Sequence, residues 1–454
     1  MKASHATAVQ QGIVAKLVLV TTLSCIGLMA TGCSTVNVQG SAAATPLSAV
    51  KLSGRLQGGQ QPVSGASIQL YAAGTSGYGS ASTPLLTQTV TTDINGNFNI
   101  TGDYPCTGNP EVYIVATGGI PQPQTGMVNN NLALMTALGP CSSLTANTSI
   151  AINERSTVAA VWALARFMSG YSAVGASAIN ASGLANAFSV VPQLVTLSTG
   201  ETPGASLPAN AVVPVAEINT LSNSLAACVN SAGGTAGDNS SCGLLFSAAT
   251  VPGSSAPQDT IAAALNIARN PGLNPDKVLS VSLPNAPFQP SLTSTPQNFL
   301  LAITYSGGGL NAPTALAVDS SGNIWAANAN SSLTEFDATG AAISPPGGYT
   351  GGGLNHPSSL AIDESGTVWV ANSSSNSISL FNASGAPLSA SPLTGGGLNT
   401  PATIAIDEDG SAWIANSGNG SLSNFSAAYT TSSPPTGYTG AGIGQPTGIA
   451  IDPY

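Results

Sequence analysis

The spacing of apolar and polar positions divides the chain into stretches of different period. Between Val50 and Leu144 apolar residues alternate with polar ones in short runs, Arg55-Leu56-Gln57, Pro62 to Tyr71, Thr92 to Ile100 and Val112 to Ala116, bounded by Gly, Asn and Pro. Such alternation predicts half-buried β-strands. Asn95-Gly96 predicts a two-residue hairpin turn, because both positions tolerate positive φ. From residue 145 to 282 the period becomes helical, with Val158, Val161, Trp162, Ala165 and Met168 on one face of a segment that begins at Asn153. Val215 to Ser231 and Asp259 to Asn270 predict two further helices, ended by Gly233-Gly234 and by Asn270-Pro271-Gly272. A proline-punctuated stretch, residues 283–298, is expected as a linker.

From residue 299 to 454 the pattern repeats itself. Gly309-Leu310-Asn311-Ala312-Pro313 returns as Gly353 to Pro357, as Gly397 to Pro401 and, altered, as Gly442-Ile443-Gly444-Gln445-Pro446. The prolines are 44, 44 and 45 residues apart. Asp319, Asp363, Asp407 and Asp452 keep this spacing, as do Trp325, Trp369 and Trp413, and Asn328, Asn372 and Asn416, while Phe336, Phe381 and Phe425 follow at 45 and 44. Within one unit Leu360 to Asp363, Thr367 to Asn372 and Ser377 to Phe381 are short strands between turns. A period in the forties with several strands per unit predicts β-propeller blades, about three and a quarter of them. Open blades leave edge strands free to pair. The expectation is therefore either further units beyond Tyr454 or self-association through the open propeller edges.

The repeated motif Pro-x-x-x-Ala-hydrophobic-Asp-x-x-Gly-x-hydrophobic-Trp-x-Ala-Asn, followed by hydrophobic-x-x-Phe, resembles NHL-repeat and streptogramin-lyase-like propellers. Two positions depart from that pattern. The second acidic position is Asn328, Asn372 and Asn416, and the basic residue before the third strand is replaced by Ser332-Leu333, Ser377-Ile378 and Ser421-Leu422. The charges through which some relatives bind polyanions are thus missing. Streptogramin lyases use a histidine, a glutamate and magnesium, and no local motif assigns those roles to residues here. The run from Ser53 to Ile100 resembles the carboxypeptidase-regulatory, transthyretin-like β-sandwich through Gly54-Arg55, Pro62 to Ala66 and Asp93 to Phe98. That resemblance implies a structural or adhesive module without catalysis.

The first residues read as an address. Lys2 and Lys16 precede the apolar run Leu17 to Met29, too short for a comfortable span of about 20 residues. Ala30-Thr31-Gly32-Cys33 resembles the bacterial lipobox, which implies a signal peptide over 1–32, a lipidated Cys33 and attachment to a membrane through acyl chains. Ser34 resembles the outer-membrane sorting pattern. Residues 33–49 are expected as a flexible linker.

Composition narrows the function classes. Charged residues are 6% of the chain, and the net charge is −10. Without Lys2 and Lys16, six basic side chains face 18 acidic ones, a net charge of −12. A nucleic-acid partner is excluded, since phosphate neutralisation needs clustered Lys and Arg. Setting aside Cys25 in the signal and Cys33, four cysteines remain, an even number suited to an oxidising compartment. Proximity favours Cys106–Cys141 and Cys228–Cys242 over metal binding, because no Cys-x-x-Cys pair or histidine stands beside them. The second pair would add on the order of 3 kcal/mol in the chain-entropy view.

The candidate chemistry is sparse. His356 is the one histidine after the signal, and its equivalents are Ala312, Thr400 and Gln445, so nothing in the repeat demands an imidazole. The Asp series and Asp407-Glu408-Asp409 are candidates for calcium ligands or paired carboxylates, although Asp-x-x-Gly at a hairpin is first of all a turn cap. Ser48-x-x-Lys51 stands without companion motifs, and the triple glycines from 307, 351 and 395 lack a following Lys-Ser/Thr and serve as connectors. No catalytic, cofactor or metal residue is assigned.

The expected architecture is multidomain and mainly β: a β-sandwich at 50–144, a small α-helical domain at 145–282 and an incomplete β-propeller at 299–454. The expected role is a lipid-anchored bacterial cell-envelope protein that binds or scaffolds, with a protein or glycan ligand at the propeller loops. A lyase or lactonase-type propeller enzyme and a structural spacer are the alternatives.

Overall fold

The computed structural model describes residues 50–102, 104–121, 126–282, 286–440 and 442–452. The signal segment, Cys33 and the stretch to residue 49 lie outside the described residues.

The first ten strands are β1 (Leu52–Gly58), β2 (Gln61–Ser64), β3 (Ser67–Ala72), β4 (Thr83–Pro84), β5 (Val90–Thr91), β6 (Asn97–Ile100), β7 (Glu111–Thr117), β8 (Ile120–Pro121), β9 (Ala133–Pro140) and β10 (Ser149–Ile152). They form two sheets. One runs β10-β1-β2-β8 with β6 also on β1, and the other runs β4-β3-β7-β9 with β5 also on β3. β10 joins β1 in parallel, Ser53 opposite Ser149 and Leu56 opposite Ile152.

The helices that follow are not a separate body. α1 (Glu154–Leu164) starts on a capping box, in which the Asn153 side chain accepts from the Ser156 amide while Ser156 Oγ accepts from the Asn153 amide. After it come the hairpin β11 (Met168–Gly170) and β12 (Ala173–Val174), α2 (Ala181–Leu194), β13 (Ala211–Val212), α3 (Val215–Val229), α4 (Ser241–Ala248), α5 (Thr260–Arg269) and α6 (Pro275–Val281). Strand periodicity sends Val112, Ile114 and Ala116 of β7 into the core between the sheets. It sends Tyr113 and Val115 into the core beneath the helices. β9 divides likewise, with Leu134 and Leu138 on one side and Ala133, Met135 and Ala137 on the other. The second sheet is therefore buried on both faces, and the core continues across the boundary expected at 144/145.

β9 is an edge strand, and its outer backbone groups are taken up by helix-start hydroxyls. Ala133 N–H donates to Thr260 Oγ1 at 3.0 Å and Met135 N–H to Thr157 Oγ1 at 2.9 Å, while Ser156 Oγ donates to the Met135 carbonyl at 3.0 Å. These bonds close an edge otherwise open to pairing.

The disulfides are Cys106–Cys141 and Cys228–Cys242, the latter joining the last turn of α3 to the first of α4. The stretch expected as a linker at 283–298 is fastened along α3 where it is described. Asn223 brackets Phe288, donating to its carbonyl at 2.9 Å and accepting from its amide at 3.0 Å. Asn219 donates to the Pro290 carbonyl, and Leu292 N–H donates to Thr220 Oγ1, both at 2.8 Å. Buried asparagines replace water for a backbone that prolines keep out of helix and sheet.

β14 (Thr304–Tyr305) pairs with β13. The repeats then form three antiparallel sheets: β15 (Pro313–Val318), β16 (Ile324–Asn328) and β17 (Ser332–Phe336); β18 (Pro357–Ile362), β19 (Val368–Asn372) and β20 (Ser377–Phe381); β21 (Pro401–Ile406), β22 (Ala412–Asn416) and β23 (Ser421–Phe425). The bridges Leu333 to Tyr349, Ile378 to Leu393 and Leu422 to Tyr438 add a fourth position to each unit. Tyr305 holds that fourth position ahead of the first unit, paired there with Ala211 from the helical region. Adjacent units share apolar clusters, Trp325, Ala327 and Leu333 with Leu360, and Trp369, Ala371 and Ile378 with Ile404. The described units form an open array of mainly antiparallel sheets and no closed ring.

The hairpin at Asp93 differs from the expected two-residue turn. Only Gly96 has positive φ, at 77°, and Gly96 N–H donates to the Asp93 carbonyl. The Asp93 carboxylate accepts from the amides of Asn95 and Asn97, both at 2.8 Å, which favours a longer loop ending in one left-handed residue.

Candidate functional site

The repeat Asp residues close the same turn. Asp363 Oδ1 accepts from the amides of Ser365 and Thr367 at 3.0 and 2.9 Å, and Gly366 N–H donates to the Asp363 carbonyl. The second oxygen of each carboxylate accepts from the indole N–H six residues on, at 3.3 Å for Asp319 and Trp325, 2.9 Å for Asp363 and Trp369 and 2.8 Å for Asp407 and Trp413. Both oxygens serve as turn and tryptophan acceptors. Among the described residues no group of three or more His, Cys, Asp or Glu side chains could hold a metal ion.

The repeat Asn residues, buried in every unit, brace the loop that enters it. Oδ1 of Asn328, Asn372 and Asn416 accepts from the amides of Asn311, Asn355 and Asn399 at 3.1, 3.0 and 3.1 Å. Their Nδ2 groups donate to hydroxyls of the third strand, Thr334, Ser379 and Ser423, at 3.0, 2.9 and 2.9 Å. An amide can do both, whereas a carboxylate could only accept. This explains asparagine where the resemblance leads one to expect an acid.

The triple glycines connect the units. The carbonyls of Gly308, Gly352 and Gly396 each accept from two hydroxyls, Thr334 and Ser344, Ser379 and Ser391, and Ser423 and Ser433.

The three braced loops end in Asn-x-Pro and the fourth copy in Gly444-Gln445-Pro446, and the residue before the proline is left-handed each time. Ala312, His356, Thr400 and Gln445 have φ of 44°, 49°, 46° and 45°, and all four are exposed. His356 N–H donates to Ser331 Oγ of the preceding unit at 3.1 Å, and Thr400 N–H donates to Asn376 Oδ1 at 2.7 Å. Among the described residues the imidazole reaches only its neighbour, with Nδ1 3.3 Å from Asn355 Oδ1. The loops and the tips at 329–331, 373–376 and 417–420 therefore make one continuous face without a charged side chain. The sequence points to these loops as a ligand surface but not to the left-handed tips they share. The signal for the tips was a residue of changing identity before a repeated proline, where the helical region is disfavoured.

The Asp turns lie at the other ends of these strands. Residues 299–454 contain nine Asp or Glu and no Lys or Arg. Asp319, Asp363, Glu364, Asp407, Glu408 and Asp409 all fall in the turns between first and second strands. One end of the array is acidic and the other neutral and amide-rich.

Among buried groups, Glu154 accepts from Gly59 N–H with both oxygens, at 2.9 and 3.1 Å, and burial pushes its pKa up to about 8. Arg155 beside it pairs with Glu201 at 2.6 Å, and its guanidinium carbon lies 4.6 Å from the Phe288 ring centre. These contacts tie the start of α1 to the Gly59 turn of the sandwich, to Glu201 and to Phe288, and are remote from the loop face in sequence. Lys51 is exposed, and Ser48 lies outside the described residues.

No protein-family model matches the chain, and no curated protein sequence matches it. Among solved structures, virginiamycin B lyase from Staphylococcus aureus is similar over 26% of this chain and 39% of that one, at 16% identity and a TM-score of 0.23. A catalytically inactive form of that lyase with quinupristin is similar over 32% and 51%, at 16% identity and a TM-score of 0.25. A streptogramin B lyase is similar over 26% and 38%, at 18% identity and a TM-score of 0.21. The chain spans two-fifths to half of their length, and likeness at this level carries no argument about activity.

Proposed function

We propose that the chain is a lipid-anchored bacterial cell-envelope protein, at the outer membrane, that binds a protein or glycan through the neutral loop face of propeller blades. The observation that carries this reading is the fixed frame with a variable tip. Buried Asn328, Asn372 and Asn416 hold three loops alike, while the exposed left-handed residues Ala312, His356 and Thr400 differ. Side chains that vary on a constant scaffold suit recognition. Neutral amides and hydroxyls hydrogen-bond sugars and peptide backbones without charge. The two disulfides support an oxidising compartment.

A glycan and peptide array probed with the whole protein and with the double variant His356→Ala, Thr400→Ala tests the reading. Selective signals that fall several-fold in the variant support it. No selective signal, or signals identical in the two proteins, would remove it.

The first blade supports self-association as well. Leu316 and Val318 are 65% and 64% exposed, whereas the residues equivalent to Leu316, Leu360 and Ile404, are 6% and 7% exposed against a preceding blade. A blade of a second copy is the proposed cover for that face.

A further inference from the structure

Cations are scarce in this chain, and their places are informative. The described ones are Lys51, Arg55, Arg155, Arg166, Arg269 and Lys277. Arg155 pairs with Glu201, the one ion pair among the described residues, and Arg55 is placed by the Asn95 carbonyl beside Asp93. Arg166 and Arg269 instead line one open cavity of about 520 Å³ together with Tyr78, Ala165 and Ala268. No acidic side chain among the described residues lines it.

The three large side chains are held differently. Arg269, at the end of α5, donates through Nε to the Ala165 carbonyl at 3.1 Å and through Nη2 to the Met168 carbonyl. That fixes the plane of its guanidinium and leaves Nη1 without a partner among the described residues. Arg166 is exposed and has no hydrogen-bond or ion-pair partner among the described residues. The Tyr78 ring is 5.5 Å from that of Phe167, its hydroxyl accepts from Asn180 Nδ2 at 2.6 Å, and it is still 63% exposed. Two guanidinium groups at one cavity repel each other unless an anion lies between them. The planar fork of Arg166 matches the oxygens of a carboxylate or phosphate, and the remaining Nη1 of Arg269 adds a fixed donor. A fixed aromatic ring beside them offers a flat apolar wall.

We propose that this cavity binds an oxyanion, a carboxylate or phosphate group, whose apolar or ring-shaped body rests on Tyr78. Arg269 is the preorganised arm and Arg166 the arm that closes onto the anion. The site is separate from the neutral loop face and does not depend on that reading.

Phenyl phosphate, benzoate and neutral benzyl alcohol, titrated by calorimetry and ligand-observed NMR against the whole protein, test the proposal. The two anions are expected to bind saturably below about 10 mM, the range of a few charge-assisted contacts, with benzyl alcohol much weaker. Arg166→Gln, at an exposed position, is expected to keep the thermal midpoint and to weaken both anions at least fivefold. Arg269→Lys, which keeps the charge and loses the fixed Nη1 donor, is expected to weaken them less. Absence of saturable anion binding, binding unchanged in Arg166→Gln, or equal binding of benzyl alcohol would each overturn the proposal.

Discussion

Tyr429 covers Trp369, with ring centres 5.4 Å apart and planes at 54°. Trp325 and Trp413 are covered by the fourth-position tyrosines of their own units, Tyr349 and Tyr438. In the middle unit that position is Leu393, and the ring comes from the next unit's turn instead. The exchange is reciprocal. Where the fourth position is Tyr305 or Tyr349, the facing turn residue is Gly340 or Gly385, and a Cβ there would lie 2.0 or 2.3 Å from the ring. Where it is leucine, the turn residue is Tyr429, held at a φ of 63°.

The pair 393 and 429 should therefore be coupled. Tyr429→Gly relieves about 1 kcal/mol of left-handed strain and loses a partly buried ring packed on Trp369, worth more, on the order of 2 kcal/mol. Leu393→Tyr alone overpacks the junction by about 1–3 kcal/mol. The double variant recreates the Tyr349 and Gly385 arrangement and should recover most of the loss in urea unfolding. Additive single effects would show that the two positions are independent.

Asp363 should need its charge and geometry where Asn382 does not. Both cap an Asp/Asn-x-x-Gly turn, but Asp363 also accepts from the buried Trp369 indole at 2.9 Å. Asp363→Asn turns an acceptor into a donor facing that N–H, and should cost about 1–3 kcal/mol. Asn382→Asp, with no tryptophan above it, should stay within about 0.5 kcal/mol. Equal thermal shifts in the two variants would refute the distinction.

How much of this was legible in the sequence depends on the range of the contact. The Asp-x-x-Gly turns, the strands around Trp325, Trp369 and Trp413 and both disulfide pairings were legible, because each is local or repeated. α2 was missed, since Pro192 sits inside it and Asn180 makes no side-chain cap. α6 is too short to show a period. The core shared by β7, β9 and the helices reads in sequence as two continuous apolar runs, which do not say what covers each face. The asparagine frame was visible as Asn328, Asn372 and Asn416, but its bonds to Asn311, Asn355 and Asn399 span 17 residues and emerge only in the fold.

Glu154 should make stability fall as pH rises. Its folded pKa, about 8, lies above the ordinary 4.5 of the unfolded chain. The folded state therefore holds a proton that the unfolded state has released, and the stabilisation present below the unfolded value is lost as pH climbs through the folded one. At about 1.4 kcal/mol per unit the loss amounts to a few kcal/mol. Glu111, raised to about 7, and Asp259, raised by burial, act in the same direction, so a variant must isolate the contribution. Glu154→Gln keeps an acceptor for Gly59 N–H and cannot ionise. Urea midpoints at pH 5 and pH 8.5 should differ less in the variant than in the parent, and an unchanged difference would exonerate Glu154.

The open face of the first unit should respond to polar substitution in a way its buried counterparts would not. Leu316 and Val318 are exposed, so Leu316→Ser with Val318→Thr removes no internal contact comparable to that of Leu360, and the thermal midpoint should hold. Association should change. A Leu and a Val buried by a second copy are worth about 1.5–3 kcal/mol each when fully covered, enough to shift a weak dimer by one to several factors of ten in its dissociation constant. Sedimentation of the parent should show an average mass that rises with concentration, while the double variant remains at the monomer value. Leu360→Ser serves as the contrast, lowering the midpoint through loss of its contact with Trp325 and Leu333. If parent and double variant sediment alike at every concentration, the first unit's apolar face is not where copies meet.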